Sequence, residues 1–487
     1  MTFQRVAARI YLACWPRMTT SSPWPSPPKE ERGTAPRQVS TVMRVRSTRL
    51  ARGRISAVPP LNRTRPERRL TVGLRCPCLG TGSRNLRSRK AGCESALRWS
   101  PQEALLAHSK AWWHFGLGLF ELGLLLSSLT LLAALTACAG AEPAGRAAPE
   151  WDALFQRESG WIGADGAYSI PLTGDTTLWL FSDTFVGKVK EGKRLDARMI
   201  NNSIALQRGT NAPEFFYGTA ADGKPASFIK PQYGSQRDYF WLTHGARTTE
   251  GLYFFLLRVV TVKPGTPFGF KLVDGWLAHV TNPDASPTQW RITQTKVPFT
   301  SISAKGAIIF GNAVLREGEF VYIFGGDSRM EAKKAGKPNG MVIARAPADR
   351  LGEFAQWRFL ADGAWQKDFK KVTPVFPNVG SESSVSWLPG RKEYAAVYSE
   401  GIGGRIVVRL APALAGPWGD PALVYRCPEM NWPAKAFCYA AKAHPELTTA
   451  PDELLITYAA NAWNFWDLFS DARLYWPRFV RVNLGPK

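Results

Sequence analysis

Five hairpin-like segments recur along the C-terminal two thirds of the chain, and their spacing constrains the fold more than any other feature. Each joins two runs of β-branched or aromatic residues across a turn: AYSIPLTGDTTLWLF, YFWLTHGARTTEGLYFFLL, AVLREGEFVYIFGG, SVSWLPGRKEYAAVYS and PELTTAPDELLITYAA. The polar residues heading them, Asp165, Asp238, Asn312, Glu382 and His444, follow at steps of 73, 74, 70 and 62. Those closing them, Asp183, Arg258, Asp327, Glu400 and Asn461, follow at 75, 69, 73 and 61. Short strand-like runs with little helical period predict an all-β region. Near-equal units predict radial repetition, a five-bladed β-propeller over 151–487, because that architecture leaves only short, protected strand edges. A β-sandwich or two β domains is the alternative, since hairpins alone do not close a ring.

Composition is globular on average, with 45% hydrophobic and 12% aromatic residues, but charge is unevenly spread. The first 110 residues carry 22 Lys and Arg against 5 Asp and Glu, 17 of the formal +23. Residues 1–110 are rich in Arg, Pro and Ser without an apolar period, the signature of a disordered leader. They also fit upstream DNA translated from a start codon placed too early. MRVRSTRLARGR and RTRPERRL could be a nucleic-acid arm, since Lys and Arg neutralise phosphates, but the solvated leader is the preferred reading and no nucleic-acid partner is expected.

Residues 111–138 read as a secretory signal: an apolar run from Leu122 to Ala137, then LTAC ending at Cys138. Leu, two small residues and Cys resemble the bacterial lipobox, in which the Cys is lipidated. The run is shorter than the ~20 residues a membrane-spanning helix needs. With 139–150 as linker, this predicts an exported, lipid-anchored protein, facing periplasm or exterior. Beyond the lipobox only Cys427 and Cys438 remain, which an oxidising compartment could join as a disulfide; two free buried thiols would read the same.

Asp165 and Asp183 flank the first hairpin. With the turn at Gly174-Asp175 and Thr173 opposite Thr176, position 165 faces 184; one more loop residue makes that 185. Either register holds the two acids at one end, within about two rises of ~3.3 Å. Close carboxylates raise one another's pKa, so one can hold a proton while the other is ionised, as glycoside hydrolysis requires. The alternative makes Asp165 a turn residue and Asp183 a strand cap.

Further acids are Asp238 and Glu382. With Asp165 they would converge on a propeller axis, which resembles the three-acid site of five-bladed family 43 glycosidases, although the Glu here falls on the fourth unit rather than the third. Asn202 in RMINNSIAL, His444 and Glu446 in AKAHPELT, and Arg478 are candidates for substrate binding. Trp463, Trp466, Tyr475 and Trp476 could stack on sugar rings or close the last blade on the first. A lone His-x-Glu does not make a metal site. No phosphate-binding loop, dinucleotide fingerprint, Gly-x-Ser-x-Gly elbow or His-Glu-x-x-His motif occurs.

Together GADGAYSIPL, TLWLFSDTF, MINNSIAL, CYAAKAHPEL, ELLITYAANAW and YWPRFVRV resemble the bacterial family called domain of unknown function 4185, over roughly Trp151 to Val482. Its members are five-bladed propellers, some assigned to glycoside hydrolase family 183 as endo-D-arabinanases. The resemblance implies that Asp165 and Asp183 are the catalytic pair, with FSDT here where the family pattern is FGDT. The expectation is a monomeric, cofactor-free glycosidase cleaving furanosidic linkages of an arabinan-like polysaccharide. The alternative is a non-catalytic carbohydrate-binding propeller of the cell envelope.

Overall fold

The computed structural model describes residues 144–263, 269–329, 339–433 and 435–487. The basic leader, the signal segment and Cys138 lie outside the described residues. The described part is all-β, and none of its helices is long and apolar enough to cross a membrane.

Five antiparallel sheets carry the fold, each a meander whose strands pair in chain order. Sheet I comprises Tyr168–Pro171, Thr176–Phe181, Ser203–Arg208 and Glu214–Phe216. Sheet II comprises Asp238–Thr248, Gly251–Thr261, Phe270–Val280 and Ile292–Lys296. Sheet III is built on Gly306–Glu317, Phe320–Asp327 and Gly340–Pro347, with shorter strands at its edges. Sheet IV comprises Ser383–Leu388, Glu393–Ser399, Arg405–Ala411 and Ala422–Arg426. Sheet V comprises Ala436–Ala443, Glu453–Ala462 and Pro477–Asn483, and takes its fourth strand, Gly145–Ala147, from the start of the described chain.

The first strand of each sheet lies beside the first strand of the next, from I through V. From sheet V back to sheet I, His444 bonds Ser169 and Tyr439 bonds Asp165. Apolar clusters fill the joints: Tyr168, Leu180, Phe240 and Phe254 between I and II; Phe255, Ile308 and Val342 between II and III; Phe324, Ile343 and Tyr398 between III and IV. The largest cluster joins IV, V and I.

The expected linker to residue 150 is shorter than predicted, because Gly145–Ala147 is already a strand and Pro149–Phe155 a helix. Pro149 in the first turn and the early acids Glu150 and Asp152 suit a helix start. Trp151 and Phe155, four apart, share one face and pack on Phe479. The fifth hairpin also differs from expectation. Its first strand is Ala436–Ala443, while Pro445–Leu447 forms a 3-10 turn. All eight residues of AFCYAAKA are buried, so the strand shows no in–out alternation. His444 therefore follows its strand rather than heading it.

Phe155 is fully buried among Trp179, Phe181, Phe215 and Phe479. Phe155→Ala is expected to cost about 3–5 kcal/mol, read as a lower urea midpoint; an unchanged midpoint would mean the helix is not part of the cooperative core.

Candidate functional site

The first hairpin turns through three residues, Thr173, Gly174 and Asp175, with Gly174 at φ 68°. Tyr168 thus pairs with Leu180 and Pro171 with Thr177, and the same register sets Asp165 directly opposite Asp183. This is neither of the two expected registers, because Leu172 rather than Thr173 pairs with Thr176 and the loop therefore opens one residue earlier. The Asp165 N–H donates to the Asp183 carbonyl (3.1 Å), and the Ser182 N–H to the Asp165 carbonyl (3.1 Å).

Both acids lie where this hairpin leaves sheet I. Beyond them the same two chain segments continue as Ser159–Ala164 and Thr184–Lys190 in a separate three-stranded sheet with Lys193–Ile200. The kink needs backbone that only glycine takes easily. Gly163 has φ 128°, and a Cβ there would stand 2.5 Å from the Tyr475 carbonyl oxygen.

Asp165 lines a cavity to which all five sheets contribute, including Trp241 of sheet II, Asn312 of III, Glu382 ahead of IV and Tyr439 of V. The hydroxyls of Tyr439 (2.6 Å) and Tyr475 (2.9 Å) both donate to Asp165 Oδ2. Its Oδ1 is buried without a protein partner. Burial above all, then the Asp183 and Glu382 carboxylates, pushes the Asp165 pKa up to about 8 against the pull of the tyrosines. Asp183 is not itself a lining residue, but its Oδ1 accepts from Nε1 of Trp241, which is (3.0 Å), and from Asn201 Nδ2 (3.2 Å). Burial raises its pKa to about 6, with those two bonds opposing. Both carboxyls are thus pushed up, Asp165 further than Asp183.

Glu382 also lines the cavity, and its Oε2 accepts from Lys442 Nζ (2.9 Å). Lys442 is almost wholly buried and also donates to the carbonyls of Ala440 (2.6 Å) and Gly166. It thereby ties Glu382, sheet V and the turn after Asp165 together, over the face of Tyr168. Its pKa is lowered by burial, with Glu382 as the chief counterweight.

The remaining expected residues are placed elsewhere. Asp238 does not line the cavity; it accepts from Arg258 (2.9 Å), which also holds Asp274 through two bonds of 2.7 Å. The three-acid arrangement thus loses its middle member to an ion-pair cluster. Asn202 is a buried clamp that donates to the carbonyls of Ile229 and Phe240 and accepts from Ile229 N–H, all at 2.9 Å. Its neighbour Asn201 is the one that reaches Asp183. His444 is fully buried between Ser169 Oγ (2.6 Å) and Thr457 Oγ1 (2.7 Å), and Glu446 lies with its carboxyl pushed up by burial. Arg478 braces the helix through Asp152 (3.2 Å) and the Arg473 carbonyl (2.7 Å). None of these four lines the cavity. Cys427 and Cys438 are free, buried thiols grouped with Glu429, whose carboxylate already accepts from Tyr458 (2.8 Å).

Lys442, Tyr439 and His244 escaped the sequence reading, and Tyr475 was expected to stack on a sugar or close the last blade rather than to hold Asp165. Lys442 stands in a uniformly apolar strand, where a lone lysine is itself a signal. Tyr439 carries none, since tyrosine is common in strands. His244, a neutral strut, accepts Val314 N–H at Nδ1 (2.8 Å) and so donates from Nε2 to the Ser169 carbonyl (2.9 Å).

A family model described as domain of unknown function DUF5005 matches residues 149–484, a different family from domain 4185. No curated protein sequence matches the chain. Among solved structures, a protein of Bacteroides ovatus ATCC 8483 put forward as a hydrolase superposes with TM-score 0.57 at 19% identity, covering 69% of this chain and 90% of its own. That likeness establishes a shared fold. The GH43_1 enzyme of Xanthomonas citri complexed with xylotriose reaches TM-score 0.39 at 12% identity, covering 69% and 94%. A family 117 glycoside hydrolase of Zobellia galactanivorans reaches 0.36 at 12%, covering 68% and 89%. Superpositions this loose carry no weight for the site.

The raised Asp165 pKa has a stability consequence. An unfolded aspartate titrates near ~3.9, so the folded state binds its proton more tightly. Its contribution is present below about pH 4 and lost as pH rises through about 8. Asp165→Asn is expected to raise the thermal midpoint at about pH 8.5 and to leave it near wild type at about pH 4. An equal shift at both would rule out the buried carboxyl as its cause.

Proposed function

As a member of DUF5005, a family described only as a domain of unknown function, the chain must be read from its own site, and we propose that it is a glycoside hydrolase. The observation that carries this is Asp165: both tyrosine hydroxyls occupy Oδ2, leaving the buried, unpartnered Oδ1 to carry the proton. A carboxyl held protonated in the neutral range is the general acid that a glycosidic oxygen needs as it leaves. Asp183 directly opposite is the carboxylate that takes a proton from attacking water or attacks the anomeric carbon itself. Water adds across the bond, the leaving sugar gains the Asp165 proton, and the acid is restored by the proton released from water. The five sheets, each beside the next and closed by hydrogen bonds from V to I, support reading them as blades of a five-bladed propeller with this site at its centre.

The substrate we propose is a furanosidic polysaccharide such as arabinan. The test is reducing-end release from arabinan, xylan and galactan by the protein and its variants. Asp165→Asn and Asp183→Asn are each expected to slow hydrolysis by about 10²–10⁴-fold, while Asp238→Asn leaves it unchanged. The rate should fall below pH about 6 as Asp183 gains a proton and above about 8 as Asp165 loses its own. Glycan binding with no product at any pH would favour the carbohydrate-binding alternative.

We also propose export and anchoring through Cys138, supported by the LTAC sequence after an apolar run. Mass spectrometry of the cellular protein should find a lipid-modified Cys138 as the first residue; an intact basic leader would contradict it.

A further inference from the structure

Of the four aromatic residues near the C-terminus that sequence offers for stacking, the structure separates two from two. Tyr475 and Trp476 are buried, the first as a partner of Asp165. Trp463 is 40% exposed and Trp466 68%, both in the segment that follows the second strand of sheet V.

In sheets I, III and IV, the residues just beyond the second strand line the cavity: Ser182 after Phe181, Ser328 after Asp327, Gly401 and Ile402 after Ser399. Trp463, directly after Ala462, is the corresponding residue of sheet V, and it lies just outside the cavity lining. A line of rings connects it to the acid. Tyr439, which donates to Asp165, lies 5.6 Å from the Phe437 ring, and Phe437 lies 5.1 Å from Trp463. Exposure rises along that line from 7% at Tyr439 and 6% at Phe437 to 40% at Trp463. Ile402, which lines the cavity, packs on the same cluster. The segment is pinned by Asn464 Nδ2 donating to Asp467 (2.8 Å) and by Asn461 Oδ1 accepting the Ala462 N–H (2.7 Å).

We propose that Trp463 is an outer subsite, the platform on which a sugar ring of a glycan chain stacks while another ring occupies the cavity at Asp165 and Asp183. This rests on reading the cavity as the site of glycoside hydrolysis. An indole presented at the rim offers the C–H face of a saccharide ring a flat apolar surface, and its edge stays wetted. The occupant is therefore a chain of at least two sugars.

The test compares Trp463→Ala, Trp463→Phe and Trp387→Ala in hydrolysis of arabinan and of an aryl α-L-arabinofuranoside, which has one sugar. Trp387, 38% exposed, sits by the turn at the other end of its sheet and packs edge-on against Tyr394. Trp463→Ala should raise KM for arabinan about tenfold, leaving kcat and the aryl glycoside rate near wild type. Trp463→Phe should recover most of the loss, and Trp387→Ala should behave as wild type. An unchanged KM for arabinan in Trp463→Ala would overturn the subsite while hydrolysis itself stands. Hydrolysis that persists in Asp165→Asn would overturn the catalytic reading, and a Trp463-dependent KM would then still support the subsite.

Discussion

The structure depends on one joint, the seam where sheet V meets sheet I. Tyr439 and Tyr475 cross it to hold Asp165 Oδ2, Lys442 crosses it to the Gly166 carbonyl, and His444 crosses it to Ser169. The strand Gly145–Ala147 and the helix after it complete the same region from outside. A carboxyl taken out of water must be hydrogen-bonded or protonated. Here the groups that satisfy it are the ones that bring the end of the chain back to its beginning, so the site cannot form before the sheets close.

Local strain is concentrated at this seam. Tyr475 has φ 66° and Ala440 φ 63°, values that L residues adopt only at a cost; the first itself donates to Asp165 and the second follows Tyr439, which does. With Gly163 forced close to the Tyr475 carbonyl, the backbone around Asp165 is set by its surroundings rather than by its own preferences. Such a site trades stability for a fixed acid, and Lys442 limits the cost by neutralising Glu382 beside it.

Much of this architecture can be read from residues close in sequence. The first four hairpins match their alternating runs, and Asp165 and Asp183 fall at one end of the first because any tight turn at Gly174 forces it. The fifth hairpin was legible only in its second strand: both strands are buried, but ELLITYAANA carries the strand-forming Ile, Thr and Tyr, whereas AFCYAAKA is half alanine, which is depleted in strands. Asn201 and Asn202 look equivalent in sequence. Adjacent residues on extended backbone point opposite ways, and only the placed strand says which one faces Asp183.

Sequence by itself determined the β units, their spacing and the opposition of two acids, because these follow from turn chemistry and a period-two pattern that act over a few residues. Tertiary structure alone decided which polar groups are chemical and which are structural. Asp165 differs from Asp238 because two tyrosines some 274 and 310 residues away bond the first, whereas Arg258 neutralises the second. Burial and charge partners set a carboxyl's proton affinity, and both come from parts of the chain that only folding brings together.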